Sequence, residues 1–190
     1  MNLNVLLMIN SYRKKINSEY SHLDTNTIRW SKTLDFIGTC DTVTSGLDIG
    51  DRTSFTVELE KVFGCAFGNT NIDLDTDEIQ GKYDVITAFE IIEHLYNPLW
   101  CLEQIREGLL ENGRLYLSTP VGKPYFLWSP SHFHEIHRKR LNFLFKRAQF
   151  HIIRQDTFKI HPTYFYFTGF RPFLRGIFEK VQIYELGINK

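Results

Sequence analysis

The stretch from Gly81 to Pro120, GKYDVITAFEIIEHLYNPLWCLEQIREGLLENGRLYLSTP, decides the fold. Tyr83 to Phe89 is a β-branched and aromatic run with almost no alternation, the pattern of a strand buried on both faces. A polar patch, Glu90-Ile91-Ile92-Glu93-His94, follows it. Asn97 is placed to cap a helix and Pro98 to open it, since proline has its φ pre-set and lacks only an N–H that would be orphaned there. Leu99, Leu102, Ile105 and Leu109 repeat at helical spacing, with Glu103, Arg106 and Glu107 on the wet side. Asn112-Gly113 is expected to stop that helix with a residue that tolerates positive φ. Arg114 to Thr119 then reads as a second apolar strand, closed by Pro120. Two parallel strands joined through a helix cross over right-handedly. That order places Phe89 to Leu95 at the carboxyl edge of the sheet, where open α/β sheets bind ligands.

This stretch resembles the fourth and fifth strands of class I S-adenosylmethionine-dependent methyltransferases. The similarity is closest to their small-molecule branch, with its F-D-V-V…E-x-(L/I)-E-H-(L/I) pattern. Apolar strands are common to all α/β cores. The E-I-I-E-H-L patch and the L-x-x-x-G-x-L-x-(L/I)-S-T-P ending carry the specificity. Upstream, Gly46-Leu47-Asp48-Ile49-Gly50 resembles the start of the family's cofactor loop, L-D-I-G-x-G-T-G. Glycines there let the backbone turn sharply and approach the cofactor, while the next helix offers its N–H groups. In this chain the glycine series reads Gly50, Arg52, Ser54, and Thr53 stands where the family often has threonine. The family's second strand ends in an acid that binds the ribose hydroxyls; counting forward from Asp48, that position falls on Asn71. A neutral amide forgoes a charge-assisted bond. Asp73-Leu74 resembles the element set against adenine. The resemblance thus implies S-adenosylmethionine as cofactor, met by Asp48, Gly50, Arg52, Thr53, Asn71, Asp73, Leu74 and Phe89.

The remaining segments fill in a doubly wound α/β domain with a mostly parallel sheet. Residues 1–45 form an N-terminal helical segment and 46–190 the core of one domain. The periodic Ile28, Trp30, Leu34 and Ile37 follow a cap at Asp24 or Thr25, and this helix either covers the cleft as a lid or packs on the sheet. Phe55 to Phe63 is an amphipathic helix ended by Gly64. Leu141, Leu144, Phe145 and Ala148 mark another helix, running into a sixth family-type strand, with Gln149 where the family has glycine. Val181 to Ile188 is the last strand, which the resemblance inserts antiparallel between the fifth and sixth. Between Asp48 and Asp84 there is room for little more than one βαβ unit of about 30 residues. The family fits two there. One strand–helix pair is therefore expected to be missing, with the second strand, ending near Ile72, at the sheet's edge.

Composition narrows the rest. Twenty-two basic and twenty-two acidic residues cancel, which leaves no overall field to attract nucleic acid or an anionic membrane. Three widely spaced cysteines without a C-x-x-C suit a reducing compartment. The opening MNLNVLLMIN has no basic residue ahead of its apolar run, and no window reaches transmembrane length, so a cytoplasmic location without a membrane segment is expected. The acidic IDLDTDEIQGK lacks the glycine and terminal glutamate of a calcium loop. The histidines of SHFHEIH are expected to hold no metal; His132 and His134 are candidates for the substrate side. Tyr164 to Phe178 is dense in aromatic and basic residues and open to three uses: packing, a homo-oligomer face, or an interfacial surface.

Glu90 and His94 are the candidate catalytic residues. A histidine with a nearby carboxylate at a strand end is a usable general base. The competing reading has Glu93 and His94 capping the next helix. Methyl transfer from a sulfonium is an in-line displacement, so positioning supplies much of the catalysis. Two functions remain open: methyl transfer to a small-molecule acceptor, or a methyltransferase-fold subunit that binds without catalysing. A nicotinamide-dependent reductase is disfavoured by the absence of G-x-G-x-x-G.

Overall fold

A computed structural model describes residues 24–40 and 43–189. The elements run α1 (Asp24–Ile37), β1 (Gly46–Asp48), α2 (Ser54–Phe63), β2 (Phe67–Asn69), β3 (Tyr83–Phe89), α3 (Pro98–Gly108), β4 (Leu109–Pro120), α4 (Arg138–Arg147), β5 (Phe150–Phe158), α5 (Phe170–Phe178) and β6 (Val181–Ile188). Short 3₁₀ turns occupy Ile92–His94, Tyr125–Leu127 and Thr163–Phe167. Among the described residues the sheet has six strands in the order β2-β1-β3-β4-β6-β5. β1, β2, β3 and β4 pair in parallel, and β6 lies antiparallel between β4 and β5. This is the expected doubly wound sheet with an antiparallel last strand. The expected shortening is there too: β2 is the edge, and residues 70–82 reach β3 with no further strand or helix.

Two apolar layers hold the sheet. On one face, α3 and α4 bury Leu102, Ile105, Leu141 and Phe145 against Ile86, Leu115, Leu117 and Tyr184. Each such side chain, sealed from water, contributes about 1.5–3 kcal/mol. On the other, α1 and α2 set Ile37, Phe55, Leu59 and Phe63 on Val85 and Tyr116. Trp30 of α1 stacks on Phe55 at 5.1 Å between centroids, and Phe55 meets Phe89 edge-on at 5.7 Å.

Several boundaries differ from the sequence expectation. Asn97 does cap α3, its Oδ1 accepting from the Trp100 N–H at 3.2 Å, with Pro98 in the first turn. The helix ends at Gly108, however, and Asn112-Gly113 lies inside β4. Leu109 pairs with Tyr83 and Arg114 with Val85, so extra residues of β4 are accommodated at a register shift. Gly113 is required by proximity rather than by φ: a Cβ there would sit 2.9 Å from the Leu110 carbonyl oxygen and 3.1 Å from that of Tyr83. Pairing with β3 outcompeted one more helical turn because it buries Leu109. β2 ends at Asn69 rather than near Ile72, since it continues only as far as Asp48 offers a ladder partner. Gly64 ends α2 in the left-handed region, as expected. Before Asp24, the helical expectation for residues 1–23 lies outside the described residues.

Candidate functional site

The carboxyl ends of β1, β3 and β4 converge on one edge, and the loops leaving them carry most of the residues singled out from sequence. Asp48 is buried and fully engaged. Its two carboxylate oxygens accept from Thr56 Oγ1 and Thr87 Oγ1, each at 2.6 Å, tying β1 to α2 and β3. Burial pushes its pKa up, against the lowering pull of those hydroxyls. Gly50 turns the chain at φ 103°, a conformation that disfavours any side chain, and its N–H donates to Thr70 Oγ1 at 2.7 Å. Among the described residues, a Cβ on Gly50 would come nearest to Ile91 Cδ1, at 3.5 Å.

The rest of the expected cofactor loop is used differently. Thr53 caps α2 in a reciprocal box with Thr56. Arg52 reaches back along α2, pairing with Glu60 at 2.7 Å and donating to the Phe67 carbonyl at 3.3 Å. Asn71 is exposed past the strand end. The residue beside Asp48 at the end of β2 is Asn69, whose amide donates to the Asp48 and Gly50 carbonyls at 3.2 and 3.3 Å. Counting from Asp48 missed it by two residues because β2 is shorter than the family's strand. Asp73 organises its own turn, accepting from the Asp75 N–H at 3.0 Å, and Leu74 packs on the core. Asp75, not singled out from sequence, accepts from the Tyr96 and Asn97 N–H groups and so docks the acidic loop at the start of α3.

The other side of the edge is the Glu90 to His94 corner. Glu90 takes φ 56°, rare for a side-chain-bearing residue, and this kink turns the chain out of β3. Nothing in the sequence signals it, since no glycine marks the turn. Glu90 accepts from Ser118 Oγ at 2.8 Å and lies 3.8 Å from Arg29 of α1. Glu93 is fully buried; its Oε2 accepts from Thr119 Oγ1 at 3.0 Å, while Oε1 has no hydrogen-bond partner among the described residues. Burial, and then the Glu90 carboxylate, hold its pKa well above the usual carboxylate range. His94 donates from Nδ1 to the Ser131 carbonyl at 2.8 Å, and burial pushes its pKa down.

The loop after β4 is stapled onto this corner. Phe133 and His134 donate their N–H groups to the Glu93 carbonyl at 2.8 and 3.1 Å, which brings the His132 ring to 4.9 Å from that of His94. His134 Nε2 approaches the Tyr96 carbonyl at 3.4 Å. Both candidate substrate-side histidines therefore stand at the same edge as Glu90. α1 reaches this edge through Arg29, while Trp30, Leu34 and Ile37 pack on the sheet side. A surface hollow of about 370 Å³, lined by Glu111, Arg114 and His151 among others, lies at the opposite end of β4, away from these groups. Elsewhere, Cys40, Cys65 and Cys101 form no disulfide among the described residues, and no described helix is long and apolar enough to cross a membrane. Of Tyr164 to Phe178, Tyr166 is buried, while Tyr164, Phe167, Phe170 and Phe173 are exposed.

A mostly parallel sheet with an inserted antiparallel strand, whose carboxyl edge carries a glycine turn and a buried acid–histidine corner, defines the class: an α/β domain with a Rossmann-like methyltransferase fold. Residues 23–155 match the methyltransferase domain family, and the chain belongs to that family. A ubiquinone biosynthesis O-methyltransferase of Shewanella halifaxensis is 29% identical over 97 residues, covering 44% of this chain and 41% of that protein. The chain thus matches less than half of that relative's length. Among solved structures, a SAM dependent methyltransferase from Archaeoglobus fulgidus superposes with a TM-score of 0.61 at 13% identity, covering 92% of this chain and 99% of the other. The 1,6-didemethyltoxoflavin-N1-methyltransferase of Burkholderia thailandensis, with S-adenosylhomocysteine bound, gives 0.59 at 11% identity over 96% and 89%.

Proposed function

We propose that the chain transfers a methyl group from S-adenosylmethionine to a small-molecule acceptor. The observation that carries this is the carboxyl edge itself. The positive-φ Gly50 turn and the Glu90–Glu93–His94 corner flank one stretch of it, in a domain of the methyltransferase family. When bound, S-adenosylmethionine supplies an electrophilic methyl. The chain's own residues would do the rest. Asp48 fixes the turn, Gly50 gives close approach, Phe89 and Trp30 shield the edge from water, and Asn69 replaces Asn71 as the nearest polar group on the ribose side. Asp73 and Leu74 remain on the adenine side. His94, held by its Nδ1 hydrogen bond to the Ser131 carbonyl, is the candidate base for an acceptor proton. Thr53 and Arg52 are not assigned to the cofactor, because the first caps α2 and the second is paired with Glu60.

The second reading, a binding subunit without catalysis, is favoured by one feature. Arg52 and Ser54 stand where glycines would let a cofactor in, and the adenine side lacks a strand. Calorimetric titration with S-adenosylmethionine and S-adenosylhomocysteine separates the two. The expected dissociation constant is about 10 μM to 1 mM, or roughly −7 to −4 kcal/mol. No heat and no thermal shift at millimolar ligand would remove the enzyme reading. We further place the protein in the cytoplasm, with no nucleic-acid partner and with homo-oligomers permitted by the exposed aromatic face.

A further inference from the structure

Phe170, Phe173, Leu174, Ile177 and Phe178 recur at the spacing that gathers them on one face of α5. A helix so patterned ordinarily packs that face on the core, and α5 does the reverse. It meets the domain on its bare side: a Cβ on Gly176 would lie 2.7 Å from Tyr166 Cδ1, and both residues are buried. The apolar stripe is left outside, with Phe170 78% and Phe173 50% exposed and Ile177 and Phe178 exposed beside them. Tyr125 and Phe126 are likewise exposed, in the loop after β4. That loop and the one carrying α5 leave the same edge of the sheet, since Pro120 of β4 and Phe158 of β5 both pair with Val181. They are joined there as well. The Val121 N–H donates to the Lys180 carbonyl at 2.8 Å, and Lys123 lies 3.9 Å from Glu179.

Charge supplies a second, independent observation. The zero net charge of the chain is the sum of two unequal parts: residues 121–180 hold eleven Lys and Arg against three Asp and Glu. Between residues 157 and 178 there is no acid at all, while Arg171 and Arg175 flank the stripe on α5. Lys159 stands over the Tyr166 ring that supports the helix, 5.0 Å from its centroid.

We propose that α5 and the loop after β4 form a docking surface for an anionic lipid bilayer, with the apolar stripe turned to the acyl chains and the arginines to the headgroups. This is the composition of a helix that lies in a membrane interface. Nine residues at about 1.5 Å each make a helix about 14 Å long. That is half of the roughly 30 Å hydrocarbon core, so α5 lies on the membrane and does not cross it. A second copy of this chain is a rival occupant, but it would set one basic face against another. Nucleic acid matches the charge, yet single strands are held by rings set along a basic groove, whereas α5 presents a convex face that includes Ile177.

The test is flotation of the full chain with two kinds of vesicle, phosphatidylcholine alone and two parts phosphatidylcholine to one part phosphatidylserine. Binding to the anionic vesicles is expected, weaker on the neutral ones and weaker at high salt, where the basic groups are screened. Phe170→Ser with Phe173→Ser should lower partitioning by about 10-fold or more. Leu110→Ser, exposed at the opposite end of β4, should leave it unchanged. Arg171→Gln keeps the stripe and should lower partitioning about fivefold; it decides the matter if the paired variant fails to fold. No flotation with anionic vesicles overturns the proposal, as does flotation that the folded paired variant or Arg171→Gln leaves unaltered. Sedimentation that shows a dimer lost in the paired variant, without vesicle binding, gives the face to a second copy and overturns it too. So does binding of a single-stranded oligonucleotide, abolished by the same substitutions, in a chain that does not float.

Discussion

The two halves of this sheet have opposite characters. Across β3, β4 and β6 the domain is dense: α3 and α4 seal Leu102, Ile105 and Leu141 completely, and even the polar groups at the edge, Glu93, Ser118 and Thr119, are buried. From β1 to β2 it is thin. β1 and β2 are three residues each, β2 is an uncovered edge, and residues 71–78 form a mostly exposed acidic turn. An acceptor-side corner needs rigid walls to hold side chains in place. The β1–β2 half keeps little beyond what holds Gly50 in its turn. The difference suggests that a cofactor is gripped through its methionine end and only loosely through adenine.

The largest effect that would break this contrast is in the dense half. Leu102→Ala removes a fully buried side chain and should cost about 2–5 kcal/mol in denaturant unfolding. Leu74→Ala, in the half-buried turn, should cost much less, about 1 kcal/mol. Comparable losses at both positions would mean the thin half is as well packed as the other.

A second comparison sets two aspartates against each other. Asp48→Ala should cost about 1–3 kcal/mol by stranding two buried hydroxyls, and should abolish any cofactor binding. The two carboxyls also titrate with opposite sign. Asp48 is raised by burial, so the folded chain keeps its proton to higher pH than the unfolded one. Its contribution is therefore best below the unfolded value near 3.9 and declines as pH rises through the folded value. Asp84, at the other end of β3, is held low chiefly by the Thr44 hydroxyl and by the neighbouring N–H groups. Its contribution is present above the unfolded value and is lost as pH falls through the folded one. Unfolding curves from acid to neutral pH should flatten in opposite directions for Asp48→Asn and Asp84→Asn; a shared direction would contradict the burial of Asp48.

Two smaller effects concern positions where the family carries glycine. Gln149, between α4 and β5, takes φ 64°. Gln149→Gly relieves about 1–2 kcal/mol of left-handed strain and gives back about 0.5–1 kcal/mol in chain entropy. A net gain near 0.5 kcal/mol is expected in the unfolding midpoint, and a loss would show that the side chain is supported. Arg52→Gly in the thin half should do less still. Its pair with Glu60 is solvent-exposed, so the midpoint should stay put and S-adenosylhomocysteine affinity should change by less than about threefold. A marked tightening would mean that Arg52 blocks the loop after all.

Some of this was written in local sequence. The uninterrupted run Tyr83 to Phe89, the Asn97-Pro98 start and the periodic leucines fixed a strand, a helix and their crossover, because burial on two faces and helix capping each leave a short-range mark. The spacing from Asp48 to Asp84 fixed the missing strand, because chain length limits what can be threaded there. Pairing geometry decided what local signals could not. Gly113 serves close approach within β4 instead of ending α3, and the end of β2 falls on Asn69, because ladder partners rather than propensity set where strands stop. The left-handed turn at Glu90 has no glycine to announce it. His132 meets Glu93 and His94 only because the loop after β4 is hydrogen-bonded back onto the Glu93 carbonyl. Contacts between residues so far apart along the chain arise from packing, and no local pattern in the sequence encodes them.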